Sequence, residues 1–157
     1  MMPLQSLLNA LQAWAQEELA GQRRILALVA RQEQALCAND THALLDATEE
    51  LEPEMRAQSE RAERRRRLFH RIAAHWQVDA EALSIGSILE RCGGHAGLAA
   101  LREELRSSSN ELVRRNRRFG ALAGAQRRLI EELVAGLLQQ DDPRALQEGG
   151  TLVNQRA

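Results

Sequence analysis

Apolar residues recur in this chain at alternating steps of three and four, or at multiples of that repeat, through three long stretches. An α-helix turns once in about 3.6 residues, so this spacing places the apolar side chains along one face of a helix and turns the intervening ones outward. From Pro3 to about Leu36 the face reads Leu4, Leu8, Leu11, Ala15, Ile25, Val29 and Leu36. From about His42 to Trp76 it reads Leu44, Leu51, Met55, Ala62, Phe69, Ile72 and Trp76. From about His95 to Gln139 it reads Leu98, Leu101, Leu105, Leu112, Phe119, Leu122, Leu129, Leu133 and Leu137. Leu and Ala dominate, while the chain has two Trp, two Phe and no Tyr. The β-branched and aromatic runs that strands require are absent, so the fold class is all-α.

The breaks between the stretches define the topology. Ala38-Asn39-Asp40-Thr41 interrupts the first pattern, and either Asp40 or Thr41 is suited to cap the next helix. A turn that short predicts an antiparallel hairpin. Pro53 lies within the second stretch, where a proline deletes one intrahelical hydrogen bond and crowds the preceding turn. Either the helix kinks or breaks at Glu49 to Glu52, or the helix proper starts at Pro53. Gln77 to Leu83 reads as a connection, followed by a short helix capped by Ser84 and ended by Gly93-Gly94. The expected architecture is an antiparallel bundle of three long helices plus one short connecting helix, with a flexible C-terminal tail. Residues 1–142 form the bundle domain and residues 143–157 the tail.

At 1.5 Å per residue the three helices measure about 50, 52 and 67 Å, so the last overhangs its partners or bends near Gly120 and Gly124. Its stripe is also interrupted by polar residues at Ser108, at Arg115 or Asn116, and at Gln126. Two readings follow: part of this face is open for a partner, or the core contains polar layers.

The remaining features narrow the chemistry mainly by exclusion. All 21 basic side chains are Arg and the net charge is −1, which lacks the cationic surplus of a general nucleic-acid binder. Arg64 to Arg67 and Arg114, Arg115, Arg117 and Arg118 form local clusters. Four consecutive helical residues fan through most of a turn, and Glu60, Glu63 and Glu111 stand four residues ahead of arginines, so a solvated, ion-paired face accounts for them. The alternative is a surface for an acidic partner, since the acidic stretch Asp46 to Glu54 leaves the molecule electrically lopsided. Cys37 and Cys92 match no zinc or redox spacing and are expected to be reduced thiols. Cys92 to Gly97 has three glycines but neither a preceding strand nor a phosphate-loop Lys, and it reads as a helix end and turn. His70 and His75 are five apart and point to different faces, so no metal site is expected. No catalytic constellation can be assigned: the expectation is no enzyme and no cofactor. The opening residues lack a basic leader and an apolar run of membrane-spanning length, so the expected location is the cytoplasm, without membrane insertion. Trp14 and Trp76 are expected in the core, an exposed Trp being the mark of a binding hot spot instead.

The order of elements resembles the FlgN family along nearly the whole chain. Leu36-Cys37-Ala38-Asn39-Asp40 followed by Leu44-Leu45 resembles the family's first turn, and Ser84 through Leu89 its short middle helix. Leu101-Arg102-Glu103-Glu104-Leu105, then Asn110 through Asn116 with Phe119 beyond, resembles its Asn-bearing last helix. Pro53, the Arg64 to Arg67 run and the Arg-rich last helix depart from the family pattern. The resemblance implies a cytosolic chaperone of flagellum biogenesis and type III secretion. It implies partners too: the C-terminal, helix-forming segments of hook-filament junction (hook-associated) proteins, kept from premature assembly and delivered to the export apparatus. On that reading a partner's amphipathic helix lies along the last helix. Leu112, Phe119, Leu122, Leu129 and Leu133 are the anchors, Asn116 and Gln126 the polar register-setters, and the tail a clasp. The rival reading is a self-associating coiled-coil adaptor in which the same stripe pairs with another copy, a homo-oligomer. A helical nucleic-acid regulator using the Arg clusters is a further rival, marked by salt-dependent affinity.

Overall fold

The computed structural model describes residues 3–140, with side chains through residue 135. It contains α1 (Leu4–Cys37), α2 (Thr41–Trp76), a single 3-10 turn (Ala80–Ala82), α3 (Ile85–Arg91) and α4 (Ala96–Gln140), and no strand among the described residues. The all-α class and the three long helices with one short connector therefore stand as expected. The expected tail, residues 143–157, lies outside the described residues. The chain divides into two compact units, Met1–Phe119 and Gly120–Ala157, with α4 contributing to both.

Each boundary has a local cause. Pro3 is the N-cap of α1, just outside the first turn, and its carbonyl accepts from Ser6 and Leu7. Asp40 caps α2, its carboxylate accepting from the Ala43 amide at 3.0 Å, while Asn39 makes the turn at φ 55°. Gln77 ends α2 in the left-handed region, at φ 54°. Ser84 and Ser87 form a reciprocal capping box at the start of α3. Gly93 and Gly94, at φ +74° and +98°, terminate it, a conformation that L side chains rarely tolerate.

Pro53 neither breaks α2 nor starts it: the helix runs without interruption from Thr41 to Trp76. The bond lost by the proline belongs to the Glu49 carbonyl, and both residues are exposed, so that carbonyl is not shut away from solvent. Contacts with α1 grip the helix on either side, through Arg31 to Glu50 (2.7 Å) and Arg24 to Glu54 (2.7 Å).

In the first unit α1 is the central helix. It meets α2 in antiparallel order, Arg31 against Glu50, Arg24 against Glu54 and Glu18 against Arg61, and meets α4 in parallel order, Arg23 against Glu104 and Glu33 against Arg115. The main core joins Leu7, Leu8, Leu11, Trp14, Ala15 and Leu19 of α1 to Leu68 and Ile72 of α2, Ile88 of α3, and Leu98 and Leu105 of α4. Ile88 is fully buried, so α3 closes this end of the core as well as reversing the chain. Trp14 is buried and its indole N–H donates to the Arg61 carbonyl at 2.7 Å, whereas Trp76 is half-buried with the Arg91 guanidinium over its ring.

The expected stripe on α2 needs correction. Met55 and Ala62 are exposed, Leu44, Leu51, Phe69 and Trp76 are half-buried, and Ile72 alone of that stripe is buried. The seam facing α1 instead runs through Ala47, Glu54, Arg61 and Leu68 at steps of seven, a line that two ionisable residues and an alanine disguise. Arg61 and Glu18 form a buried ion pair at 2.8 Å. Gln22 donates to Glu18 at 3.2 Å and to Ser109 of α4 at 3.1 Å, so one polar layer ties the three long helices. Gly21 makes room for it: a Cβ there would stand 2.2 Å from Arg61 Nη2.

Breaking a buried pair strands a charge and typically costs about 3–5 kcal/mol, whereas well-packed apolar replacements of both partners can be neutral. Glu18→Ala should therefore lower unfolding stability in urea by about that amount, and Glu18→Leu with Arg61→Met should recover most of it. Gly21→Ala should be destabilising in the native background to the extent that it displaces the Arg61 guanidinium from Glu18. Beside Arg61→Ala, where the clash is gone, the same change should become neutral or favourable by up to about 1 kcal/mol, the helix-propensity difference.

Candidate partner-binding surface

The face of α4 is built differently in the two units. In the first, Leu98 and Leu105 are buried in the main core, and of the polar interruptions that follow, Ser108 holds its hydroxyl buried without a partner while its neighbour Ser109 and Arg115 are paired within the chain. Ser109 bonds to Gln22, while Arg115 reaches Glu111 at 2.8 Å and Glu33 at 3.5 Å. Ser109 and Arg115 thus take part in polar contacts with α1. Glu33 is itself buried, and α1 carries Gln22 and Gln32 on the same buried side, with Gln32 donating to Thr48 of α2 at 3.0 Å. Of the expected anchors in this unit, Leu112 and Phe119 are half-buried, and Asn116 is exposed.

In the second unit the helix continues through Gly120 and Gly124, where an added Cβ would meet nothing. Leu122 and Gln126 are half-buried. Leu129 and Leu133 are 56% and 59% exposed, and beside them Ile130 and Val134 are 53% and 49% exposed. Sequence reasoning missed Ile130 and Val134 because it followed the Leu and Phe positions alone. Their signal lay in their place one residue beyond Leu129 and Leu133, which widens a narrow seam into a broad apolar face. Four large aliphatic side chains at i, i+1, i+4 and i+5 in water form a surface with the geometry of a helix-to-helix contact. Arg127 and Glu131 pair at 2.8 Å elsewhere on the same stretch.

Other exposed large apolar residues are scattered, with Leu45 and Met55 on α2 and Val113 on α4. Among the described residues no three His, Cys, Asp or Glu side chains stand together in a way that could hold a metal ion. Among them, too, no helix is long and apolar enough to cross a membrane.

Electrostatics around α4 are set by local pairing. The hydrogen bond from Arg115, reinforced by the Arg114 charge, holds the Glu111 carboxyl below its ordinary range against a smaller opposing effect of burial. Arg31 does the same for Glu50, and Glu50 in turn raises the Arg31 guanidinium. A carboxyl depressed in the folded state contributes stability that is present above its unfolded value and is lost as pH falls through its folded value. Carboxyl-detected NMR should therefore show Glu50 and Glu111 titrating at lower pH than an unpaired Glu. Arg115→Gln should move the Glu111 midpoint upward and leave Glu50 in place, and Arg31→Gln should do the reverse.

The family model described as FlgN protein matches residues 1–150 of the chain. No curated protein and no solved structure matches it.

Proposed function

The chain belongs to the FlgN family of flagellar export chaperones, and from that premise we propose that it binds the C-terminal helical segment of hook-filament junction proteins in the cytoplasm. On this reading it keeps them from assembling early and brings them to the export apparatus. The observation that carries the client-binding site is the exposed aliphatic face of Leu129, Ile130, Leu133 and Val134. Client segments that pair with one another in the assembled structure carry an apolar stripe, and that stripe needs cover before assembly. A helix face with the same requirement supplies it, and each chain covers the other.

Leu129 and Leu133 are the central anchors, with Leu122 beside them and Gln126 fixing register where a polar partner group is needed. Leu112, Asn116 and Phe119, on the part of α4 in the first unit, are proposed as further client contacts. Fully burying a Leu or Ile from water contributes roughly 1.5–3 kcal/mol, and these side chains are already about half covered, so roughly 1 kcal/mol per anchor remains for docking. The work is binding alone, without a chemical step.

The rival reading, a self-associating adaptor, uses the same face for a second copy. Sedimentation separates the two, because an obligate oligomer persists on dilution whereas a chaperone gives up self-contacts to its client. The test of the binding face is calorimetric titration with C-terminal segments of hook-filament junction proteins from the same organism, beside a flagellin C-terminal segment. Saturable binding to the junction segments alone is expected. Leu129→Glu with Leu133→Glu should weaken it at least a hundredfold, since two anchors are lost and two carboxylates must be desolvated, while circular dichroism stays unchanged. Full binding by that variant would remove this face from the account.

A further inference from the structure

A second surface, on the first unit, has no part in the client-binding reading and does not rest on it. Between α2 and α4 a groove of about 310 Å³ is lined by Trp14, Gln22, Ala62, Arg65, Ile85, Leu105 and Arg106 among others. It shares Ala62 and Arg65 with an adjoining groove of about 300 Å³ that passes Phe69, His70, Ala80 and Leu83. Arg65 therefore borders both grooves, and Arg106 of α4 lines the first with it.

Charge separates this channel from the others. The larger groove between α1 and α2, about 840 Å³, is lined by Arg24, Arg61, Arg64 and Arg67 but also by Glu17, Glu60 and Glu63. There Arg64 pairs with Glu17, Arg61 with Glu18 and Arg24 with Glu54. In the α2–α4 channel the acids are Glu18, already committed to the buried Arg61, and Glu81, at its far end. Arg66, which lines the far end, pairs with Glu63 of its own helix. Neither Arg65 nor Arg106, both exposed, has a carboxylate partner among the described residues. The groove thus carries two guanidinium groups without a carboxylate partner, beside apolar Trp14, Ile85 and Leu105 and polar Gln22, Gln58 and Ser109.

Arg65 is also held in place. Its guanidinium lies 5.8 Å from the centroid of the Trp14 ring and 5.9 Å from that of Phe69. A cation over two rings is attracted to their faces, which lowers the ordering cost of a later contact. A carboxylate is the group that a guanidinium edge receives in bidentate fashion. Leu105 and Ile85 provide an apolar floor beside it, Leu105 buried and Ile85 half-buried.

We propose that the α2–α4 channel is a docking site for an acidic segment of a partner protein, whose carboxylates bridge Arg65 and Arg106 while an apolar side chain rests over Ile85 and Leu105. This contact uses residues of the first unit that the client-binding reading does not use. It assigns a role to one arginine of the Arg64 to Arg67 run, the others of which are paired with acids or line other surfaces.

The probe is a fluorescently labelled synthetic helical peptide with Glu and Leu on one face of an Ala scaffold, titrated into the full chain by anisotropy at low and at physiological salt. A matched peptide with Lys in place of Glu is the control. The expected result is saturable, salt-sensitive binding of the Glu peptide alone. Arg65→Glu and Arg106→Glu should each weaken it at least tenfold, with Arg117→Glu plus Arg118→Glu, at exposed sites outside the channel, leaving it within twofold. Should either charge reversal disturb the helical circular dichroism signal, Arg65→Gln and Arg106→Gln replace them, each with an expected loss of roughly threefold or more. Absence of binding, equal binding of the Lys peptide, or equal weakening by the Arg117 and Arg118 pair would overturn the proposal. Tighter binding of a single-stranded oligonucleotide, lost with the same two arginines, would overturn it as well, by assigning the channel to phosphate.

Discussion

An amphipathic helix face must be covered, and the way each helix of this chain meets that requirement organises the whole molecule. α1 satisfies it on two sides, giving one seam to α2 and another to α4, and so becomes the middle of the first unit. α2 and the first part of α4 satisfy it against α1, and α3 seals the end of the core with Ile88. In the second unit, the aliphatic face through Leu129 to Val134 stays in water. Packing over Leu7, Leu11, Ile72 and Leu98 contrasts with these four exposed aliphatic side chains, and this contrast is what supports the proposed binding face.

Between the apolar core and the far end of α1 lies a polar layer whose parts depend on one another. Glu18 and Arg61 neutralise each other out of water, Gln22 links that pair to Ser109 of α4, and the indole of Trp14 donates to the backbone of the same arginine. The absence of a side chain at Gly21 admits the guanidinium. A buried pair of this kind adds little net stability over an apolar substitute. What it supplies is register, because sliding α2 past α1 by one turn would bury two unmatched charges. Fixed register in turn sets where Arg65 stacks on Trp14 and Phe69, and hence the shape of the channel beside it.

The long periodic stretches were legible because Leu and Ala at steps of three and four have one economical solution, and the caps Asp40 and Ser84 stand out chemically. Reading the burial of α2 was harder. Its true seam carries Glu54 and Arg61 where a reader looks for Leu, and the apolar Met55 lies outside it. Polar residues at seam positions 18, 22 and 32 of α1 and at 115 of α4 can mean an open face or a wet core, and only three-dimensional pairing separates the two. At Pro53 the intrinsic cost was visible in the sequence, while the continuity of the helix and the Arg–Glu contacts to α1 on either side were not. On α4 the exposed face was half visible, with Leu129 and Leu133 recognised and Ile130 and Val134 overlooked.

Hydrogen–deuterium exchange of the full chain, with and without a saturating C-terminal segment of a hook-filament junction protein, tests the central claim most directly. The account predicts slowed exchange in the α4 amides around Leu122 to Val134 on adding the segment, with the amides of Leu7 to Leu19 and Leu68 to Ala73 unchanged. Slowing confined to α1 and α2, or none anywhere while the segment is demonstrably bound, would contradict it.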